Sequence, residues 1–182
     1  MQSFKSAAVF GFGAAVLVGG SGDVHAEGRE DLRTALVVDA TIQLQAVHSS
    51  KCLDLDHGRV NNGIKAQQWT CNGTDAQKWQ AIPVSDSLFE LRSVASGKCL
   101  EVENSSSKAG ADVQQWECSG GKQMRWQMVL IDPNNGHFQL RPTHTEDRCL
   151  DIDGAGRGNG ARAQQWYCNQ SEAQRWQVRT TV

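Results

Sequence analysis

Three times along the chain a carboxylate, an amide and an indole recur at one spacing: Asp54 with Gln67 and Trp69, Glu101 with Gln114 and Trp116, Asp151 with Gln164 and Trp166. A carboxylate accepts two neighbouring hydroxyl protons, and an amide supplies both a donor and an acceptor. An indole adds a flat apolar face. A few polar groups around an aromatic platform is how small-ligand sites are built, and this set suits a sugar, whose ring has a face of C–H groups and an edge of hydroxyls. The same residues have structural uses: an aspartate caps turns and a tryptophan fills a core. Residue types alone leave both readings open.

The elements that must position these side chains are repeats. Lys51-Cys52-Leu53-Asp54-Leu55-Asp56 leads to Ala66-Gln67-Gln68-Trp69-Thr70-Cys71 and Ala76-Gln77-Lys78-Trp79. Lys98-Cys99-Leu100-Glu101-Val102 leads to Val113-Gln114-Gln115-Trp116-Glu117-Cys118 and Met124-Arg125-Trp126, and Arg148-Cys149-Leu150-Asp151-Ile152 to Ala163-Gln164-Gln165-Trp166-Tyr167-Cys168 and Ala173-Gln174-Arg175-Trp176. All 6 Cys and all 6 Trp fall in this frame, which restarts after 47 and then 50 residues. Periods of that size mark repeat architectures. Short apolar–polar alternations such as Ile42-Gln43-Leu44, Phe89-Glu90-Leu91 and Phe138-Gln139-Leu140 are separated by turn signals such as Asn61-Asn62-Gly63 and Pro133-Asn134-Asn135-Gly136. No helical period is sustained after Ala26, so the spacing predicts an all-β protein with four strands per repeat. Closure around a threefold axis would hide the strand edges.

Strand parity locates the trios. Alternate residues share a face. With Cys52 opposite Cys71, Asp54 is expected opposite Trp69 and Asp56 opposite Gln67, gathering carboxylate, indole and amide beside the loop 57–66. Parity also turns Gln68, Gln115 and Gln165 inward with the leucines. A buried amide needs partners: either these amides bind backbone or a bulge shifts the register.

The first 26 residues read as a secretory signal: Lys5, an apolar run from Ala7 to Val18, and an Ala-x-Ala-like end at Val24-His25-Ala26. The run is shorter than the roughly 20 residues a membrane-spanning helix needs, so secretion with cleavage near Ala26 is expected, without membrane insertion. No cysteine precedes Cys52, which excludes a lipid anchor at that site. Residues 27–41 form a lead-in in which Ala35 to Val38 is a possible strand. The formal net charge of -2 gives no footprint for nucleic acid. In an exported chain six cysteines read as disulfides. The threefold repeat selects Cys52–Cys71, Cys99–Cys118 and Cys149–Cys168, each closing a loop worth roughly 3 kcal/mol in the chain-entropy model. Zinc spacing is absent, and no cofactor is implied.

With these residues in view, the chain from about Ile42 to Val182 resembles the ricin B-type lectins, R-type β-trefoils with threefold Gln-x-Trp repeats. The Cys-Leu-Asp opening, the Gln-Gln-Trp-x-Cys step and the Gln-x-Trp close, three times in order, carry the resemblance. It implies a β-trefoil of three four-stranded repeats (about 42–88, 89–137 and 138–182) with pseudo-threefold symmetry, one disulfide per repeat and up to three shallow sugar sites. It assigns the sugar-binding carboxylate to Asp54 and Asp151, the stacking aromatic with its amide to Trp69 with Gln67 and Trp166 with Gln164, and Trp79, Trp126 and Trp176 to the core. Galactose-type ligands are common in the family, and plant-polysaccharide and mannose-type ligands also occur. In the second repeat Glu101 replaces Asp and Met124 replaces the closing Gln, so the site of Glu101, Gln114 and Trp116 is expected to be weak or lost. Ala76 and Ala173 stand where the family often has a sugar-binding Asn.

Other motifs carry less. Asn72-Gly73-Thr74, Asn104-Ser105-Ser106 and Asn169-Gln170-Ser171 fit the short glycosylation pattern. His48, His57, His137 and His144 share no spacing and are expected on solvated loops. Asp54 with Asp56, and Asp151 with Asp153, resemble a glycosidase pair only in composition, and a catalytic pair duplicated at two symmetric places is not how such sites are built. A non-catalytic glycan-binding protein is therefore expected. Two alternatives remain: a glycan-binding subunit that delivers a separate toxin or enzyme chain, and a protease inhibitor on the same fold that would not need the Asp–Trp pair.

Overall fold

The computed structural model describes residues 40–85 and 87–181. The expected signal segment, most of the lead-in and the possible strand Ala35–Val38 lie outside them. The described residues form twelve strands and six single-turn 3-10 segments. Each repeat contributes four strands, as the turn spacing predicts. The first has β1 (Ala40–Ala46), β2 (Cys52–Leu55), β3 (Ala66–Trp69) and β4 (Trp79–Ser85). The second has β5 (Leu88–Ser93), β6 (Cys99–Val102), β7 (Val113–Trp116) and β8 (Arg125–Asp132), and the third β9 (His137–Pro142), β10 (Arg148–Ile152), β11 (Ala163–Tyr167) and β12 (Trp176–Thr180).

The first and last strands of each repeat pair antiparallel in one ring: β1 with β4, β4 with β5, β5 with β8, β8 with β9, β9 with β12, and β12 back to β1. Closing the ring leaves these six strands without a free edge. The middle strands form three hairpins, β2–β3, β6–β7 and β10–β11. This is a β-trefoil.

The core follows from alternation along the strands. Ile42, Leu44, Leu53, Leu55, Leu91, Leu100, Leu140 and Leu150 are fully buried. Trp79, Trp126 and Trp176 share the core at 0% exposure. Each indole N–H donates to a hairpin carbonyl: Trp79 to Leu53 at 3.4 Å, Trp126 to Leu100 at 2.9 Å, Trp176 to Leu150 at 3.2 Å. Each closing motif therefore fills the core and ties its barrel strand to its own hairpin. The three repeat-selected disulfides are formed.

The inward glutamines stitch the repeats together. Gln68 is fully buried and donates to the carbonyls of Gly156 and Gly158 at 2.7 and 2.9 Å. Gln115 does the same to Arg59 and Asn61, and Gln165 to Ser106 and Lys108. Each amide thus binds the loop of a neighbouring repeat, with no bulge in the hairpins. Three histidines depart from the solvated-loop expectation: His137 opens β9 and is part-buried, and these same loops cover the other two. His48 is buried with Nε2 3.0 Å from the Gly156 carbonyl, and His144 Nε2 lies 2.9 Å from that of Ser106.

Candidate functional site

The hairpin register differs from expectation by two residues: Cys52 faces Trp69 and Asp54 faces Gln67. The cause is where the strands end. β2 stops at Leu55, and Asp56 opens a 3-10 turn in which His57 has φ 55°. The Asp56 N–H makes the last bond of the hairpin, to the Lys65 carbonyl at 3.1 Å, which sets Asp56 opposite Lys65 rather than Gln67, and its carboxylate meets Arg59 at 2.9 Å and His57 at 2.6 Å on the turn. Cys71 lies past the end of β3 and reaches Cys52 diagonally, with Cα atoms 5.0 Å apart. A two-residue shift preserves parity, so the trio still shares a face. The pairing repeats as Glu101 with Gln114 and Asp151 with Gln164.

In the first repeat the Asp54 carboxylate is buried and held at both oxygens. Gln67 Nε2 donates to Oδ1 at 3.0 Å and Gln77 Nε2 to Oδ2 at 3.1 Å. Gln77 is itself fixed, donating to the Thr70 carbonyl and accepting from the Asn72 N–H. Trp69, 40% exposed, stands beside this clamp. The third repeat copies it: Gln164 and Gln174 donate to Asp151 at 2.9 and 3.0 Å, and Trp166 is 40% exposed. An ionised carboxylate has about four lone-pair sites. Two amide donors leave capacity for adjacent ligand hydroxyls, and the exposed indole supplies a stacking face.

Gln77 and Gln174 are members of the candidate site that strand parity does not find, because the closing motif returns to the hairpin only in three dimensions. The signal is in the second repeat, where both members of the pair change together. Glu101 is longer, and Met124, in the closing-Gln position, accepts the Ser119 N–H at sulfur, 3.4 Å away. Gln114 still donates to Glu101 at 3.0 Å, but among the described residues the second oxygen has only Gln123 at 3.5 Å. A groove lined by Glu101, Gln114, Trp116 and Gln123 remains there. Ala76 and Ala173 are buried, so those positions offer packing and no polar group.

Burial raises the pKa of Asp54 and Asp151 above the ordinary aspartate value. It outweighs the lowering by the amide donors, and the charges of Asp56 and Asp153 add to the rise. A carboxyl with a raised folded-state pKa stabilises the fold most below its unfolded pKa, and that contribution is lost as pH rises through the folded value. The ionised form that a hydroxyl-binding site requires is the form folding disfavours, the pattern expected of a functional carboxylate.

A closed trefoil carrying repeated carboxylate–amide–indole trios defines a lectin-type domain. The family model described as ricin-type β-trefoil lectin domain-like matches residues 34–116, 83–166 and 123–182. The chain belongs to that family. No curated protein matches it. Among solved structures it is similar to a designed threefold-symmetric protein, ThreeFoil, at 31% identity over 78% of this chain and 99% of that one, TM-score 0.74. It is similar at 26% identity to 1,3Gal43A, an exo-β-1,3-galactanase from Clostridium thermocellum, over 78% of this chain but 30% of the galactanase, TM-score 0.73. The fold is shared with the Macrolepiota procera ricin B-like lectin in complex with lactose, at 18% identity over 77% and 94% of the two chains, TM-score 0.67.

Proposed function

We propose that this protein is a secreted, non-catalytic lectin that recognises glycans through the Asp54–Gln67–Trp69 and Asp151–Gln164–Trp166 sites. The observation that carries the reading is the amide clamp on each buried carboxylate beside an exposed indole. Galactose-type glycans or a plant polysaccharide are the proposed ligands. The lactose bound by the Macrolepiota procera lectin and the galactanase context of a similar domain support that class. The galactanase, in which the matched part is 30% of the chain, also favours a second reading: a glycan-targeting module that serves a separate enzyme or toxin chain. With no polar group at Ala76 or Ala173, affinity per site is modest, and two sites engaging one surface supply avidity. A broad glycan array probed with the oxidised chain tests this. Hits sharing one terminal sugar support the lectin reading, and an empty array with the disulfides intact contradicts it.

The second-repeat site is proposed to contribute little, because Glu101 is held firmly at one oxygen only. Glu101→Ala is expected to change glycan binding less than about twofold, well under the effect of one lost charged hydrogen bond. A loss equal to that of Asp54→Ala would make it a full third site.

Binding requires ionised carboxylates and is expected to fall on acidification. Because burial raises both pKa values, the fall begins at a higher pH than an unperturbed aspartate would give. Titrating the affinity for an immobilised glycan against pH checks this. Affinity that holds until the ordinary aspartate range argues against these two carboxylates as the ligand contacts.

A further inference from the structure

The strands that carry the three site glutamines meet around the pseudo-threefold axis. Lys65, Asp112 and Arg162 each stand two residues before one of them. Backbone bridges set each of the three against the site glutamine of a neighbouring repeat: Lys65 with Gln114, Asp112 with Gln164, Arg162 with Gln67. The side chains break that symmetry. Lys65 Nζ donates to Gln114 Oε1 at 2.9 Å while pairing with Glu103 at 2.8 Å and Asp112 at 3.3 Å. Arg162 pairs with Asp112 through Nη1, and through Nη2 with Asp153 at 3.1 Å and Gln164 Oε1 at 3.2 Å. Asp112, a hub between the two cations, thus draws Arg162 toward the third repeat and away from Gln67. Gln67 Oε1 has no donor among the described residues, and Gln67 is part-exposed, whereas Gln114 and Gln164 are each 3% exposed.

We infer that Arg162 is the positioning residue of the third-repeat site and Lys65 that of the second, whereas the first-repeat site has none and leaves the Gln67 amide oxygen open to a ligand hydroxyl. An amide between a carboxylate and a cation has one favourable orientation. Flipping it would set Oε1 against Asp151 and Nε2 against Arg162, both like-charge contacts. Burial works against the Arg162 charge, but the hydrogen bonds and charges of Asp112 and Asp153 outweigh it and raise its pKa. Arg162 therefore stays charged wherever Asp151 is ionised. The two principal sites consequently differ. The third repeat presents a fixed amide donor to its carboxylate, and the first presents an amide whose oxygen is free for the sugar.

The ligand side of this inference rests on the lectin reading; the amide side does not. The test uses Arg162→Ala and Arg162→Lys in the oxidised chain, with lactose as the probe sugar. Nitrogen-15 NMR of the ligand-free protein reads the side-chain amides, and the Gln164 amide pair is expected to shift in Arg162→Ala and partly return in Arg162→Lys, with the Gln67 pair unmoved. An unmoved Gln164 pair, or equal shifts of both, overturns the positioning role even if no sugar binds. Lactose affinity is then compared in an Asp54→Ala background, which isolates the third repeat, and an Asp151→Ala background, which isolates the first. The ratio of third- to first-repeat affinity is expected to fall roughly threefold to tenfold in Arg162→Ala, the worth of about one hydrogen bond. An unchanged ratio overturns the inference. Absence of lactose binding in both backgrounds while the Gln164 pair shifts as expected counts against the lectin reading and upholds the positioning.

Discussion

Replacing Asp54 and Asp151 together by alanine is expected to abolish glycan binding, and each single replacement to weaken its own site roughly tenfold to a hundredfold. The estimate follows from the hydrogen bonds a carboxylate makes to ligand hydroxyls, about 1.5–3 kcal/mol each when one partner is charged. On a multivalent surface a single replacement costs more than its own site, because avidity needs both. The fold should survive. The substitution removes a carboxylate whose ionisation burial already opposes, and the core leucines and tryptophans are untouched. The cost falls on amides left without an acceptor, Gln67 with Gln77 or Gln164 with Gln174. Binding to immobilised glycan, with melting curves run alongside, separates lost recognition from lost structure. Full binding by the double variant would remove the carboxylates from the site.

The largest expected effect on stability belongs to Trp126→Ala. Trp126 is fully buried and its indole bonds the Leu100 carbonyl at 2.9 Å. Removing it leaves a large cavity and an unpaired carbonyl, for a cost of about 3–5 kcal/mol. Against the 5–15 kcal/mol typical of a whole domain, that leaves a protein near the edge of folding. Trp79 and Trp176 stand in equivalent places. Trp69→Ala is the contrast. Its ring is 40% exposed, so stability should change by about 0.5 kcal/mol or less while sugar binding at the first-repeat site is lost. Denaturant midpoints for the two variants measure the difference. Similar midpoints would mean that the two tryptophans have been assigned to the wrong roles.

These two indoles show what the sequence makes legible. Trp69 lies in a Gln-x-Trp step of a hairpin, and Trp126 in a closing motif whose Gln is replaced by Met124. The alternation around Trp69 marks a hairpin strand with an outward face, whereas Trp79, Trp126 and Trp176 begin or enter barrel strands after a turn. The disulfides, the four strands per repeat and the faces of Asp54, Gln67 and Trp69 are local consequences of period and parity. The register is not local. It depends on where β2 ends, at the turn in which Asp56 bonds the Lys65 carbonyl and His57 takes a positive φ. The role of Gln77 is hidden for a related reason: the carboxylate it holds lies 23 residues earlier in the chain. Farther still, Lys65 meets Gln114 across 49 residues, and Gln68 meets Gly156 across 88, because the threefold axis brings the repeats together.

The most direct test is an NMR titration that watches the six indole N–H signals while lactose, N-acetylgalactosamine or a β-1,3-galactan oligosaccharide is added. The expected result is saturable movement of Trp69 and Trp166, with Trp116 moving less and Trp79, Trp126 and Trp176 still. Movement confined to the core indoles, or no movement with any of these sugars or with any glycan retained on an array, would contradict a lectin built on the first and third repeats.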